Sequence, residues 1–261
     1  MQQWIGGLVI ALLTLTHPAM AFDHTAWDQL LGKHVQPLRG GVATAVDYNG
    51  MAADRQQLNT YLEQLSSVSA ADFQAFSRDE QLAFLVNAYN AFTVELILLE
   101  NQPASIRDIG SFLSGPWDKD FFTLLGEPRT LDEVEHDMIR GNPALMDPRI
   151  HFAVNCASIG CPALRPQAYT ADQLDAQLED SANQFLSDKQ RNRFNADKNA
   201  LEVSKIFDWY EEDFENAAGS LAEYLLPYAD KLGVPEEKRQ LMKNDDITIR
   251  HLDYNWKLNK Q

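Results

Sequence analysis

The chain has 261 residues, 45% of them hydrophobic, with 22 Lys and Arg set against 38 Asp and Glu for a formal net charge of −16. That hydrophobic share supports a real core. A surface so acidic repels phosphate backbones and anionic lipid heads, which argues against nucleic-acid binding and against docking on membranes through basic patches.

The first element reads as a targeting signal, with an uncleaved anchor helix as the alternative. Residues 6–21, "GGLVIALLTLTHPAMA", form an apolar stretch ending in Ala19-Met20-Ala21, the small-x-small pattern that signal peptidase reads. The leading "MQQW" lacks Lys and Arg, so only the α-amino group supplies positive charge. Residues 1–21 are therefore expected to be a signal peptide, with the mature chain starting near Phe22 and residing in the periplasm or outside the cell. No membrane span is expected after its removal, because the longest later apolar run, Leu82 to Leu99, contains Asn87, Asn90 and Glu95.

Periodicity then predicts helices in order. Trp27, Leu30 and Leu31 share one face of the first, and Leu58, Tyr61, Leu62 and Leu65 one face of a second, running from about Met51 to Leu65. "RDEQLAFLVNAYNAFTVELILLENQ" is apolar almost all round, the mark of a buried central helix. Thr130/Glu133 and Thr170/Gln173 have capping-box spacing, predicting helices over 131–140 and 171–187. Strands are expected in "DFFTLLGEPRTL", with a Gly-Glu-Pro turn, and in the alternating runs "RIHFAVN", "NALEVSKIF" and "DITIRHLDY". No repeat or linker interrupts the series. The expected architecture is α+β: a mostly helical single domain over 22–261 around a small, largely antiparallel sheet, with a central buried helix near 79–100.

The chemistry concentrates in "RIHFAVNCASIGCP", which holds both cysteines. In an oxidising compartment Cys156 and Cys161 are expected to join, closing a short loop worth roughly 2 kcal/mol in the chain-entropy picture. Gly160 gives the backbone freedom to turn. The alternatives are a thiol enzyme, with Cys156 as nucleophile, His151 as base and Asn87 or Asn90 as orienting groups, and a redox protein using the Cys156–Cys161 pair. A straight strand would put Cys156 and His151 on opposite faces, which disfavours the dyad. Whether the protein is an enzyme stays open.

Asn87 and Asn90 on the central helix either pin loop backbone or line a polar pocket with Tyr89, His151 and Asn155. Glu95 is either a solvated outlier or a buried carboxylate paired with Arg107 or Arg149. Ser158, in the cysteine loop, has no triad around it. In "FDWYEEDFE", Asp208, Glu211, Glu212 and Glu215 share one acidic helical face, with Trp209 and Asp213 elsewhere. "NADKNALE" lacks the central glycine of a calcium loop and reads as a hairpin turn. Two cysteines and one nearby histidine fall short of a zinc set, and no Gly-rich phosphate loop occurs. No metal or cofactor is expected. The expected partner is a small molecule or peptide.

"FLVNAYNAFTVELIL", "DPRIHFAVNCASIGCPAL", "YTADQLDAQLEDSANQFL" and "SKIFDWYEEDF" together resemble, in order and spacing, the bacterial branch of the domain of unknown function 547 family. The resemblance covers roughly residues 75–215, and the C-terminal "LDYNWKLN" fits it. It implies no activity. Plant relatives look like interaction proteins, and some relatives adjoin glutaredoxin-like domains, which makes redox chemistry thinkable. His151, Cys156 and Cys161 fall within the motif; His251 does not, so a Cys156–His251 dyad gains no support from it.

Overall fold

In the computed structural model, residues 21–111 and 114–261 are described; residues 1–20, and with them the expected signal peptide, lie outside that set. The helix Arg78–Leu99 forms the centre. Ser77 starts it, accepting the Glu80 N–H while Glu80 accepts that of Ser77, a reciprocal cap that satisfies two orphan donors. Every residue from Leu82 to Val94 is buried. The helix is long and apolar enough to cross a membrane, yet its apolar surface is taken up by the protein's own core.

The buried apolar residues form two hydrophobic cores, and the central helix belongs to the first. The first joins it to Thr25–His34 and Arg55–Ser67 through Trp27, Leu58, Tyr61 and Phe84. The second gathers Phe152, Phe185, Phe207 and Phe214. One helix, Leu174–Ser187, serves both: Leu174 and Leu178 belong to the first core, Phe185 and Leu186 to the second. Among the described residues, the strands form three small separate sheets. Val35–Leu38 pairs with Ala43–Val46, and Phe122–Leu124 with Glu127–Arg129, both antiparallel. Ala200–Val203 pairs antiparallel with Arg193–Asn195 and parallel with Thr248–His251.

The α+β class and the buried central helix are as expected, but four local expectations change. "RIHFAVN" is no strand: Pro148–Phe152 is a 3-10 turn, begun by Asp147, whose carboxylate accepts the Arg149 N–H at 2.9 Å. The expected helix from Met51 to Leu65 is two, Tyr48–Ala53 and Arg55–Ser67, parted at Asp54, which turns to His34 at 2.6 Å. The Thr170/Gln173 box does not form; Gln177 instead accepts the Thr170 N–H at 2.9 Å, and the helix begins at Leu174. The hairpin expected in "DFFTLLGEPRTL" turns at Leu125-Gly126, both with positive φ (55° and 85°), so Glu127 and Pro128 lie in the strand.

Candidate functional site

Where the two cores meet, a cavity of about 250 Å³ opens. Tyr89 and Val154 reach it from the first core and Ile206 from the second. Trp117 and Trp256 pack on the first core, Tyr210 and Tyr254 on the second, and Trp209, 42% exposed, stands in the wall as well.

One wall is the cysteine loop. Cys156 and Cys161 are bonded, S–S 2.02 Å, and both line the cavity. Asn155 ties the loop from within: its Nδ2 donates to the Pro162 carbonyl at 2.7 Å and its Oδ1 accepts the Ala157 N–H at 2.9 Å. From outside, the C-terminal segment runs alongside, with Ile159 N–H donating to the Lys257 carbonyl at 2.8 Å and Gly160 N–H to that of Asn255 at 2.9 Å. This brings Tyr254 across the disulfide, its hydroxyl 3.1 Å from each sulfur and 3.1 Å from Ser158 Oγ. Gly160 owes its place to that ring: a Cβ there would lie 2.8 Å from Tyr254. Close approach, not turning freedom, calls for glycine.

The opposite wall comes from the helix that Thr130 starts. The capping box expected there is present, with Thr130 Oγ1 accepting the Glu133 N–H at 3.1 Å and Glu133 accepting that of Thr130 at 2.8 Å. From Glu133 to Arg140 the winding is π-helical, a form that recurs at functional sites. It presents Glu135, 5% exposed, to the cavity together with His136. Glu135 Oε1 accepts the Tyr210 hydroxyl at 2.7 Å.

His151 stacks on Tyr210 with ring centroids 3.8 Å apart. Its Nε2 lies 2.7 Å from Asp213 Oδ2, an oxygen that also accepts the Arg140 Nε–H at 2.6 Å. Burial pulls the His151 pKa below the ordinary value and outweighs the upward pull of Asp213. Burial pushes Asp213 up, but the hydrogen bonds from His151 and Arg140 prevail and hold it at about 2. The two directions agree once Arg140 is taken as the counter-charge: an ionised Asp213 beside a neutral imidazole. Neutral His151 then carries its proton on Nε2, leaving the Nδ1 lone pair as acceptor. Nδ1 is buried and has no partner among the described residues. Tyr89 stays protonated, through burial first and then the Glu135 charge.

Of the residues singled out in the sequence, the cavity unites Tyr89, His151, Cys156 and Cys161. Cys156 is no resting nucleophile, because its sulfur is bonded to Cys161, and His151 turns to Asp213 instead. Asn87 clamps a loop, its Oδ1 accepting the Tyr169 N–H at 3.0 Å and its Nδ2 donating to the Tyr169 carbonyl at 2.8 Å. Asn90 does the same to the Asn155 N–H and the Ala153 carbonyl, at 2.8 and 3.0 Å. Glu95 pairs with Arg55 rather than with Arg107 or Arg149; Arg149 is taken by Asp147 and Asp175. His251 faces Asp208 at 3.6 Å. No group of three His, Cys, Asp or Glu side chains suited to a metal ion occurs among the described residues.

The sequence reading missed Glu135, Tyr210, Tyr254 and the Trp117, Trp209 and Trp256 rings. The signals were the indoles embedded in the acidic run and in the C-terminal "YNW", places where neither helix nor strand period demands so large a ring. Asp213 was placed off the acidic face, and that is where it turns inward. A larger open groove of about 970 Å³ runs past Phe22, Asp28 and Thr170.

Residues 73–186 match the family model described as "Protein of unknown function, DUF547". The match spans the central helix, the π-helical turn, His151, the disulfide loop and most of the helix shared by both cores. No curated protein and no solved structure matches the chain.

Proposed function

We propose that the chain is an exported binding protein for a small molecule, with the cavity at the seam of the two cores as its site and the disulfide loop as a stiff wall. One observation carries this reading: aromatic rings and a few convergent polar groups enclose a cavity whose only two cysteines are bonded to each other. Such a lining is the usual make-up of ligand sites. The volume, about 250 Å³, falls just below the ~300–1,000 Å³ of typical ligand pockets, which favours a small solute over a peptide. Export rests on the leader sequence and on the disulfide, since thiols persist as disulfides in oxidising compartments.

The test is a thermal-shift screen of small cationic, neutral and anionic compounds on the wild type and on Val154→Phe. Val154 is buried at the cavity wall, and the larger ring fills the space. Compounds that raise Tm in the wild type by mass action are expected to lose that effect in a folded Val154→Phe variant. A wild type that no class of compound stabilises contradicts the proposal.

A redox role for the cysteine pair is the second reading. It is favoured by the Tyr254 hydroxyl, 3.1 Å from both sulfurs, a donor ready to serve a thiolate. It requires a reduction potential above about −300 mV, the level below which structural disulfides resist glutathione. Equilibration against glutathione buffers decides it.

A further inference from the structure

The make-up of the cavity wall points beyond binding in general to a class of ligand, an inference that rests on the binding reading above. Three carboxylates, Asp118, Asp132 and Glu135, line the cavity, and no Lys or Arg does. Glu135 is 5% exposed, and none of the ion pairs among the described residues includes it. The Arg140 guanidinium, which senses the Glu135 charge, is engaged by Asp213. Glu135 takes hydrogen bonds from the Tyr210 and Tyr89 hydroxyls, which satisfy its oxygens but bring no positive charge to a buried carboxylate.

His151 supplies an independent requirement. It is 2% exposed, and its Nδ1, on the ring edge turned away from Asp213, has no partner among the described residues. With the proton held on Nε2, Nδ1 offers a lone pair and accepts an N–H. Glu135 calls for positive charge and His151 for a hydrogen-bond donor; a protonated amine provides both.

The remaining wall suits the rest of such a molecule. Tyr254 and Trp256 lie with ring centroids 4.5 Å apart, and Trp209 and Tyr254 with centroids 4.8 Å apart. Indole faces are the best platforms for cations and also shelter methylene groups. The chain already lays cations on two rings of the cavity wall, Arg107 over Trp256 at 5.2 Å and Arg140 over Tyr210 at 5.0 Å.

We infer that the cavity takes a small protonated alkylamine, its ammonium donating to Glu135 and to His151 Nδ1 and its alkyl part lying against Trp209, Tyr254 and Trp256.

Calorimetric titration of the intact, oxidised protein with butylamine, butanol and butyrate varies the charge on one alkyl chain. Butylamine is expected to bind about ten-fold or more tightly than butanol, a ratio that a charge-assisted pair supplies, and butyrate not to bind. Glu135→Gln keeps an acceptor for Tyr210 and is expected to weaken butylamine about ten-fold while leaving butanol unchanged. Should that buried variant fail to fold, Trp209→Ala at the exposed rim is expected to weaken both. Butanol binding as tightly as butylamine, or butyrate binding more tightly, overturns the amine assignment and leaves the binding reading standing. Butylamine affinity unaltered in both variants also overturns it. Silence from all three probes overturns it too, and the screen with Val154→Phe then decides the binding reading separately.

Discussion

His24 is buried against Tyr61, its Nδ1 2.8 Å from the phenol oxygen, and burial takes its pKa from 6.5 down to about 4. The folded chain thus refuses a proton that the unfolded chain accepts below pH 6.5, so stability falls as pH drops from there toward 4. A depression of that size corresponds to about 3 kcal/mol by linkage. His24→Gln, which keeps an acceptor for Tyr61 but does not titrate, is expected to flatten the fall in Tm between pH 6.5 and 4. An unchanged acid limb in the variant would mean that His24 is protonated in the folded protein. Asp213 acts in a lower window. With its pKa held at about 2 against 3.8, it contributes stability that is present above pH 3.8 and lost as pH falls through 2. Asp213→Asn is expected to cost about 2 kcal/mol near neutrality, the range for hydrogen bonds to a charged group. It should also free the His151 tautomer, which nitrogen NMR reads as a shift of protonation from Nε2 toward Nδ1. Neither group stood out in the sequence. A lone histidine after an apolar run and an aspartate in an acidic run acquire their character from distant partners, Tyr61 and Arg140.

At the scale of elements, side chains from the central helix decide what the cysteine segment becomes. The alternation in "RIHFAVN" is real, and Ile150, Phe152 and His151 are all buried, but a strand needs a neighbour along its edge. Here Asn90 takes that place, occupying the Asn155 N–H and the Ala153 carbonyl, so the backbone is satisfied without a sheet. Period-2 patterning cannot see a partner that lies 65 residues earlier. The central helix, by contrast, was legible because its burial is written in its own composition, and the Thr130 cap because both of its partners are local. The Thr170 cap failed since Gln177, one turn further on, competes for the same N–H. The C-terminal segment explains Gly160 in the same fashion. Gly160→Ala puts a methyl against the Tyr254 ring and is expected to cost about 1–3 kcal/mol, the usual range for overpacking. In chemical denaturation, the double variant with Tyr254→Ala should show coupling, costing less than the sum of the two single changes. Strict additivity would mean that the ring and Gly160 do not meet.

For the molecule as a whole, the cavity exists because two cores share the Leu174–Ser187 helix yet part around His151, and the disulfide loop spans the gap. The bond between Cys156 and Cys161 was legible from the spacing and the expected compartment; the seam was not, since only tertiary packing assigns Phe152 and Ile150 to different cores. The bond is one tie among several. Asn155 holds the loop from inside, Lys257 and Asn255 hold it from outside, and Arg191 donates to the Cys161 carbonyl. Replacing both cysteines by serine should therefore lower stability by roughly 2 kcal/mol, the loop-closure contribution, without dismantling the wall. At a temperature where that variant is folded, the affinity for any compound that stabilises the wild type should stay within about three-fold, a change of under 1 kcal/mol. A redox role predicts the same loss of stability but function lost outright, even where the variant is folded. Tm and affinity measured on the same preparation separate the two, because a scaffold tie moves the first alone and a reacting pair moves both.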